Sequence, residues 1–540
     1  VDGRGQAVRL FPGQGPEHPL FGGHGRIIGR SSRRVNALSG ARFDFCRPFQ
    51  YKEVTKEANM TMPMIPRVRV PVRVAVLTAL VFVAVAASVG CPARPPERAD
   101  AETPAVPLVP EDAVRLSNDP AKTEIFRDAG LGLFIHWGPN SQVGTEISWP
   151  LYNASEAFIE SYYALAETFE PTAFDPAGWA RLAKLAGIEY VVFTAKHHDG
   201  FCMFDTALSD LKITRTPFGK DIAAMVAEAF RKEGLLVGFY YSPGDFRYQW
   251  ETGRRTGHIT TPDFDSPAPF GPNRLGFADY ERGQIEELLT RYGDIFMLWF
   301  DGACEPLKMH AWRVRQDVFI GRGEIPTPEQ EIPGQAADHA WESCLTTSYQ
   351  WSYLPRAVVR PTAAIIENLI HIRARGGNML LNVGPRPDGT IAPADEELLR
   401  DLGLWMMLYG ESVRGVRPWT ITNEGEVWFT RKNGEGTVYA LAGLEGNART
   451  LLLRSVAATP ETKVTLLGQE GELPWERTPA GLKIEVTRKQ TVRLVKAPPL
   501  PGAETESSDK QRLVWGPDWP VAVKITGAAP TAGAAEGGSK

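Results

Sequence analysis

The chain has 540 residues, of which 43% are hydrophobic and 23% charged, with a net charge of −5. That length admits two or more domains, and the weak negative charge offers no footprint for nucleic acid or another anionic partner. Aromatic residues make up 10%, including 14 tryptophans, which suits sugar-stacking platforms and large cores alike.

Residues 1–59 are Gly- and Arg-rich without periodicity and read as upstream sequence or a disordered extension. Residues 60–91 read as an export signal. Arg67, Arg69 and Arg73 precede an unbroken run of apolar and small residues from Val74 to Gly90. A basic region, an apolar run and small residues at the cleavage point describe a secretory signal. Ser88-Val89-Gly90-Cys91 resembles a bacterial lipobox, with Ser where Leu is usual, which implies an exported protein lipid-anchored at Cys91. The run is also long enough to compete as a transmembrane anchor. Six prolines between Pro92 and Pro110 make 92–114 an extended tether.

From 115 to 414 short apolar strands alternate with amphipathic helices. The expected strands are 132–137, 190–194, 235–241, 295–300, 318–320 and 379–383. Helices are expected over 174–186, 221–233, 277–292, 362–375 and 393–409. Strands apolar on both faces, each followed by a helix, argue for a parallel sheet closed as a (β/α) TIM-like barrel. No Gly-rich dinucleotide or phosphate loop follows any strand. From 415 to 498 short strands separated by Gly, Asn and Pro predict a small antiparallel β-sandwich. Residues 499–540 read as a mostly disordered tail, in which only Val521–Ile525 looks strand-like.

Polar residues collect where barrel strands end, the place from which such folds draw their active sites. His136-Trp137-Gly138, Lys196-His197-His198-Asp199-Gly200-Phe201, Tyr240-Tyr241-Ser242-Pro243 and Trp299-Phe300-Asp301-Gly302 fall there in turn. Asp301 ends a wholly apolar run, and a second acid, Glu342, stands beside Trp341. Two carboxylates among aromatic rings suit glycoside hydrolysis. The five cysteines form no CxxC pair, which argues against a zinc ribbon. Cys304 and Cys344, close behind the two acids, read as small buried thiols in preference to a disulfide.

These blocks, together with Trp351-Ser352-Tyr353, Gly377-Asn378, Leu381-Asn382-Val383-Gly384-Pro385 and Gly410-Glu411, resemble the α-L-fucosidases of glycoside hydrolase family 29 over about residues 120–495. The resemblance implies a catalytic barrel, a C-terminal sandwich and retaining hydrolysis of terminal α-L-fucosides without a cofactor or metal. The substrate would be a fucosylated oligosaccharide or glycoconjugate. Carried over by motif, Asp301 is the nucleophile and Glu342 the acid/base, with Trp341 raising its pKa by desolvation. His136, His197 and His198 would hold sugar hydroxyls. Tyr241 matches a tyrosine near the nucleophile, and Arg322 an arginine near the site. Phe134, Trp299 or Trp351 would face the sugar's methyl group.

Two positions depart from the family pattern. A common Glu-Trp reads Ser148-Trp149, so Trp149 matches and the acid is missing unless Glu146 reaches in. The usual Trp-Gly-Tyr reads Trp351-Ser352-Tyr353. The first departure motivates an alternative, a related glycosidase acting on another sugar. A metal-dependent hydrolase, built on three histidines with Asp199 and Asp301, and a non-catalytic glycan-binding protein are the more distant alternatives.

Overall fold

The computed structural model describes residues 8–9, 107–257, 264–434, 436–444, 446–488 and 519–531. The export signal, Cys46, Cys91 and most of the tether lie outside them. Among the described residues no helix is long and apolar enough to cross a membrane.

Seven strands form one parallel sheet: β1 (Leu131–Ile135), β2 (Tyr190–Lys196), β3 (Leu236–Tyr241), β4 (Met297–Phe300), β5 (Phe319–Ile320), β6 (Glu342–Thr346) and β7 (Asn378–Val383). Their spatial order is β5-β4-β3-β2-β1-β7-β6. The segment 326–330, which follows β5, accepts from Glu342 N–H through Pro326 O (3.0 Å) and from Cys344 N–H through Pro328 O (3.2 Å). It thereby lies along β6 and links the two edges of the sheet. Helices α1 (Pro120–Ala129), α2 (Glu156–Ala164), α3 (Pro176–Leu185), α4 (Ile222–Lys232), α5 (Phe246–Glu251), α6 (Phe277–Thr290), α7 (Glu305–Val314), α8 (Thr362–Ala374) and α9 (Pro393–Tyr409) fall before, between and after the strands. Asp175 and Asp221 cap α3 and α4, accepting from Gly178 N and Ala224 N, which fixes where these helices start.

Side chains alternate across each strand. Leu133, Ile135, Val191, Phe193, Phe239 and Leu298 belong to the large outer core shared with the helices. Phe134, Val192, Tyr240, Trp299, Cys344 and Leu380 form a separate inner cluster. Fully burying each such side chain contributes about 1.5–3 kcal/mol. Gly132 faces inward as well. A Cβ there would stand 2.3 Å from the Tyr190 ring, so only glycine lets that ring cross the barrel floor.

Three expectations change. The sequence reading assigns no strand to 342–346, yet β6 begins at Glu342, because Ser, Thr and Glu disguise a strand that is buried along its whole length. The strand-like part of the tail runs past Val521–Ile525. Val521–Pro530 forms β15, the strand between β10 (Thr437–Ala442) and β12 (Val456–Leu466) in a five-stranded antiparallel sheet ordered β8-β9-β10-β15-β12, with β8 (Val416–Glu424) and β9 (Val427–Lys432). Val521, Ala522, Val523 and Ile525 are buried there, so the sandwich does not end at 498. Its second sheet is β11 (Ala448–Leu453), β14 (Gly481–Thr487) and β13 (Trp475–Thr478). Finally, Val8–Arg9, within the stretch read as an extension, pair antiparallel with Glu331–Ile332.

Candidate active site

At the C-terminal ends of the barrel strands, Phe134, His136, Trp149, His197, His198, Tyr240, Trp299, Asp301, Arg322, Glu329 and Trp351 line a cavity of about 190 Å³. It has room for one monosaccharide. His197, Tyr240 and Trp299 form a continuous stack, with ring centroids 5.1 Å and 5.4 Å apart. Phe134 meets Trp299 edge-on at 5.0 Å, and Trp351 lies 5.0 Å from the His136 ring. The walls are therefore aromatic and the polar groups few, as expected of a small-molecule site.

Asp301 follows β4 directly. Its Oδ1 accepts from Arg322 at 2.7 Å and its Oδ2 from the Tyr240 hydroxyl at 2.8 Å. His198 Nε2 stands 3.3 Å from the same Oδ2. Burial alone would raise this carboxyl's pKa. The His198 hydrogen bond and the Arg322 charge overcome that and hold it well below the usual carboxylate range. Asp301 is thus an anion, about a quarter exposed to the cavity. The Arg322 guanidinium also lies over the Trp299 ring at 4.3 Å and reaches Glu329 Oε2 at 3.0 Å. One guanidinium therefore joins two carboxylates in one cavity. Glu329, nearly half exposed, sits on the segment that links the sheet edges.

The three imidazoles differ in which nitrogen is engaged. His136 Nδ1 lies 2.6 Å from Asn382 Oδ1. Asn382 Nδ2 donates to Trp351 O, so the amide oxygen faces His136 and Nδ1 carries the proton. Burial pushes this imidazole's pKa down to about 4, which leaves Nε2 as an acceptor. His198 Nδ1 contacts Ser242 Oγ, which itself donates to Gly244 O at 2.6 Å. His198 Nδ1 is therefore the donor in that contact. His197 Nδ1 contacts Ser148 Oγ at 2.7 Å. The loop that carries the pair is anchored from below. Lys196, fully buried, pairs with Asp245 (3.2 Å) and Glu281 (3.4 Å). Asp245 also caps α5 through Tyr248 N. Gly200 has φ +76°, and a Cβ on it would stand 2.6 Å from Asp245 Oδ1.

Glu342 occupies the opposite end of the barrel. It opens β6 and pairs in register with Asn378 at the start of β7. It is wholly buried, accepting from Trp299 Nε1 at 3.0 Å and from the Tyr190 hydroxyl. Burial raises its pKa to about 7. Trp299 separates it from the sugar-sized cavity, which Glu342 does not line.

The alpha-L-fucosidase family profile matches residues 111–411, and that of the alpha-L-fucosidase C-terminal domain matches 421–498. The chain belongs to the alpha-L-fucosidase family, glycoside hydrolase family 29. It is 28% identical over 444 residues to the human tissue alpha-L-fucosidase, covering 76% of this chain and 92% of that one. Alpha-L-fucosidase isoenzyme 1 from Paenibacillus thiaminolyticus is 27% identical with a TM-score of 0.59, over 75% of this chain and 98% of that chain. A family 29 alpha-L-fucosidase from Bacteroides thetaiotaomicron, 22% identical, shares the fold with a TM-score of 0.59, over 77% of this chain and 98% of that one. The motif resemblance is confirmed, and with it a glycoside hydrolase.

Against this family reading, most expected residues converge. His136, His197, His198, Trp149, Arg322, Trp299, Trp351 and Asp301 all line the cavity. Two do not. Tyr241 points to the outer face, where its hydroxyl donates to Gln284 at 2.8 Å. Its neighbour Tyr240 faces Asp301, because adjacent strand residues alternate. Glu342 lies beneath Trp299, as described. Glu146 does not replace the missing acid. Its carboxylate is turned onto the backbone N–H groups of Trp351 (3.1 Å) and Ser352 (2.9 Å). Cys202, Cys304 and Cys344 are free thiols. Strand parity puts Tyr240 and Tyr241 on opposite faces, and the pairing of Tyr240 with Trp299 shows which one faces inward. Glu329 carried no signal beyond its nearness to Arg322.

Proposed function

We propose that this enzyme removes terminal α-L-fucosyl residues from oligosaccharides or glycoconjugates with retention of configuration. The observation that carries the reading is the Asp301–Arg322–Glu329 arrangement in a cavity sized for one sugar. Asp301, held as an anion, attacks the anomeric carbon and forms a covalent fucosyl-enzyme. Glu329 protonates the departing oxygen, then takes a proton from the incoming water. A shared guanidinium favours the short separation of a double displacement, about 5–5.5 Å between carboxyl groups. Arg322 releases Glu329 to the leaving group while still neutralising Asp301. The related fucosidases above support fucose as the sugar, and Phe134, Trp299 and Trp351 offer apolar surface for its methyl group.

The test is release of free L-fucose from a mixture of fucosylated oligosaccharides by the full chain, beside Asp301→Asn. Proton NMR of the first-formed anomer reads the stereochemistry. Release by the wild type alone, as the α anomer, is expected. A β anomer, or equal release by the variant, overturns the mechanism.

A metal-assisted reading has one observation in its favour: His197, His198 and Asp301 bring ligating atoms within 4.8 Å of one another. Arg322, already 2.7 Å from Asp301, opposes a second cation there. Activity unchanged by EDTA supports the metal-free route. Export and lipidation at Cys91 are proposed from the apolar run and the residues before Cys91. Fatty-acid labelling that Cys91→Ala abolishes is the expected result.

A further inference from the structure

We propose that Ser148 determines sugar selectivity by fixing the tautomer of His197, so that His197 and His136 grip one sugar hydroxyl from opposite senses. The argument rests on the pocket binding a sugar, and begins with the serine's hydrogen bonds. Ser148 Oγ accepts from Asp199 N–H at 2.8 Å. Its own proton has one acceptor in reach, His197 Nδ1 at 2.7 Å. His197 is fully enclosed. Burial and the adjacent His198 and His136 hold its pKa well below the usual histidine value, so the ring is neutral. A neutral imidazole that accepts at Nδ1 donates at Nε2. His136, tied through Nδ1 to Asn382, presents the opposite character, an Nε2 acceptor. The two rings are 5.4 Å apart between centroids, edge to face. A hydroxyl placed between them accepts from His197 and donates to His136. An ether, a deoxy carbon or a charged group satisfies one histidine at most.

The backbone shows how firmly this serine is held. Ser148 is wholly buried with φ +60° and ψ −41°. Trp149 N–H bonds to Ile147 O at 2.6 Å, closing the rare and strained γ-turn around it. A side chain in such a conformation persists only when its surroundings over-determine it. Here they do. Ser148 N–H donates to the Tyr162 hydroxyl at 2.9 Å, and that hydroxyl donates to Asp199 Oδ2 at 2.9 Å. The same turn delivers Trp149 to the cavity wall, 5.4 Å from the His198 ring. Glycine would hold the turn more easily but would leave His197 Nδ1 without its donor.

Ser148→Gly therefore separates the hydroxyl from the turn. Imidazole ¹⁵N NMR of the ligand-free enzyme reads the tautomer whether or not any sugar is turned over. His197 in the wild type is expected to be protonated at Nε2, and in Ser148→Gly to lose that single state. Kinetics then use aryl α-L-fucoside and its 2-, 3- and 4-deoxy analogues. Ser148→Gly is expected to lower kcat/KM for the parent fucoside about tenfold to a hundredfold, chiefly through KM. One deoxy analogue should be indifferent to the substitution, because it lacks the gripped hydroxyl. His197 protonated at Nδ1 in the wild type overturns the proposal, as does an equal loss on all four substrates or no loss at all. If the wild type cleaves no fucoside, the functional reading fails while the NMR result still judges the tautomer.

Discussion

The two ends of the barrel treat a carboxylate in opposite ways. At the C-terminal end Asp301 meets Arg322, Tyr240 and His198 and stays ionised despite its burial. At the N-terminal end Glu342 meets only the neutral donors Trp299 and Tyr190, and burial raises its pKa to about 7. Both acids face the interior, and both contact the group formed by Trp299 and its neighbours. The presence or absence of a cation within hydrogen-bond reach decides which carboxyl is held as an anion and which is pushed toward neutrality. Glu342 holds the underside of the Trp299 ring, and Arg322 covers that ring at 4.3 Å. A raised pKa by itself does not mark a catalytic acid, since structural burial produces the same shift.

Substitutions rank this contrast. Asp301→Asn should lower kcat by about ten-thousand-fold, because the nucleophile has no substitute in the cavity. Glu329→Gln should cost about 10²–10⁴-fold on oligosaccharides, and far less on an aryl fucoside whose leaving group needs no proton. Added azide should then yield a fucosyl azide. If Glu342→Gln shows that leaving-group dependence and Glu329→Gln does not, the assignment reverses.

Arg322→Gln should act mainly through pH. Without the guanidinium the Asp301 carboxyl moves back toward the ordinary range, so the acid limb of kcat/KM shifts to higher pH. The lowered pKa also contributes stability that is present above the unfolded value and lost as pH falls through the folded one. Acid unfolding of Arg322→Gln should therefore begin at higher pH than in the wild type.

Glu342→Gln should change kcat by less than about tenfold, the range of a residue acting through another. Its effect belongs to stability, with the opposite sign. A carboxyl raised to about 7 in the fold supports stability below its unfolded pKa, and that support fades as pH rises through 7. Thermal unfolding from acidic to neutral pH should show the decline in the wild type and a flatter curve in the variant.

The sequence by itself determined the alternating β/α order, the limits of five of the nine helices among the described residues to within two residues, the aromatic-rich pocket and the place of Asp301 at a strand end. Each is written locally, in apolar runs, in helical spacing, and in a charge that ends a buried strand. It also exposed the Ser148 departure. It pointed to Glu342 as the second acid, whereas the acid that shares the cavity with Asp301 is Glu329. Glu342 and Glu329 both follow the nucleophile in the chain, and only the parallel register of β6 against the 326–330 segment sends one to the floor and the other to the mouth. Tertiary structure also decided between Tyr240 and Tyr241, neighbours pointing to opposite faces, and recruited Val521–Pro530 into a sheet whose other strands lie before residue 467. The physical reason is the same in each case. Local patterns report what a residue prefers, whereas burial, charge pairing and strand partners are set by segments far away in sequence.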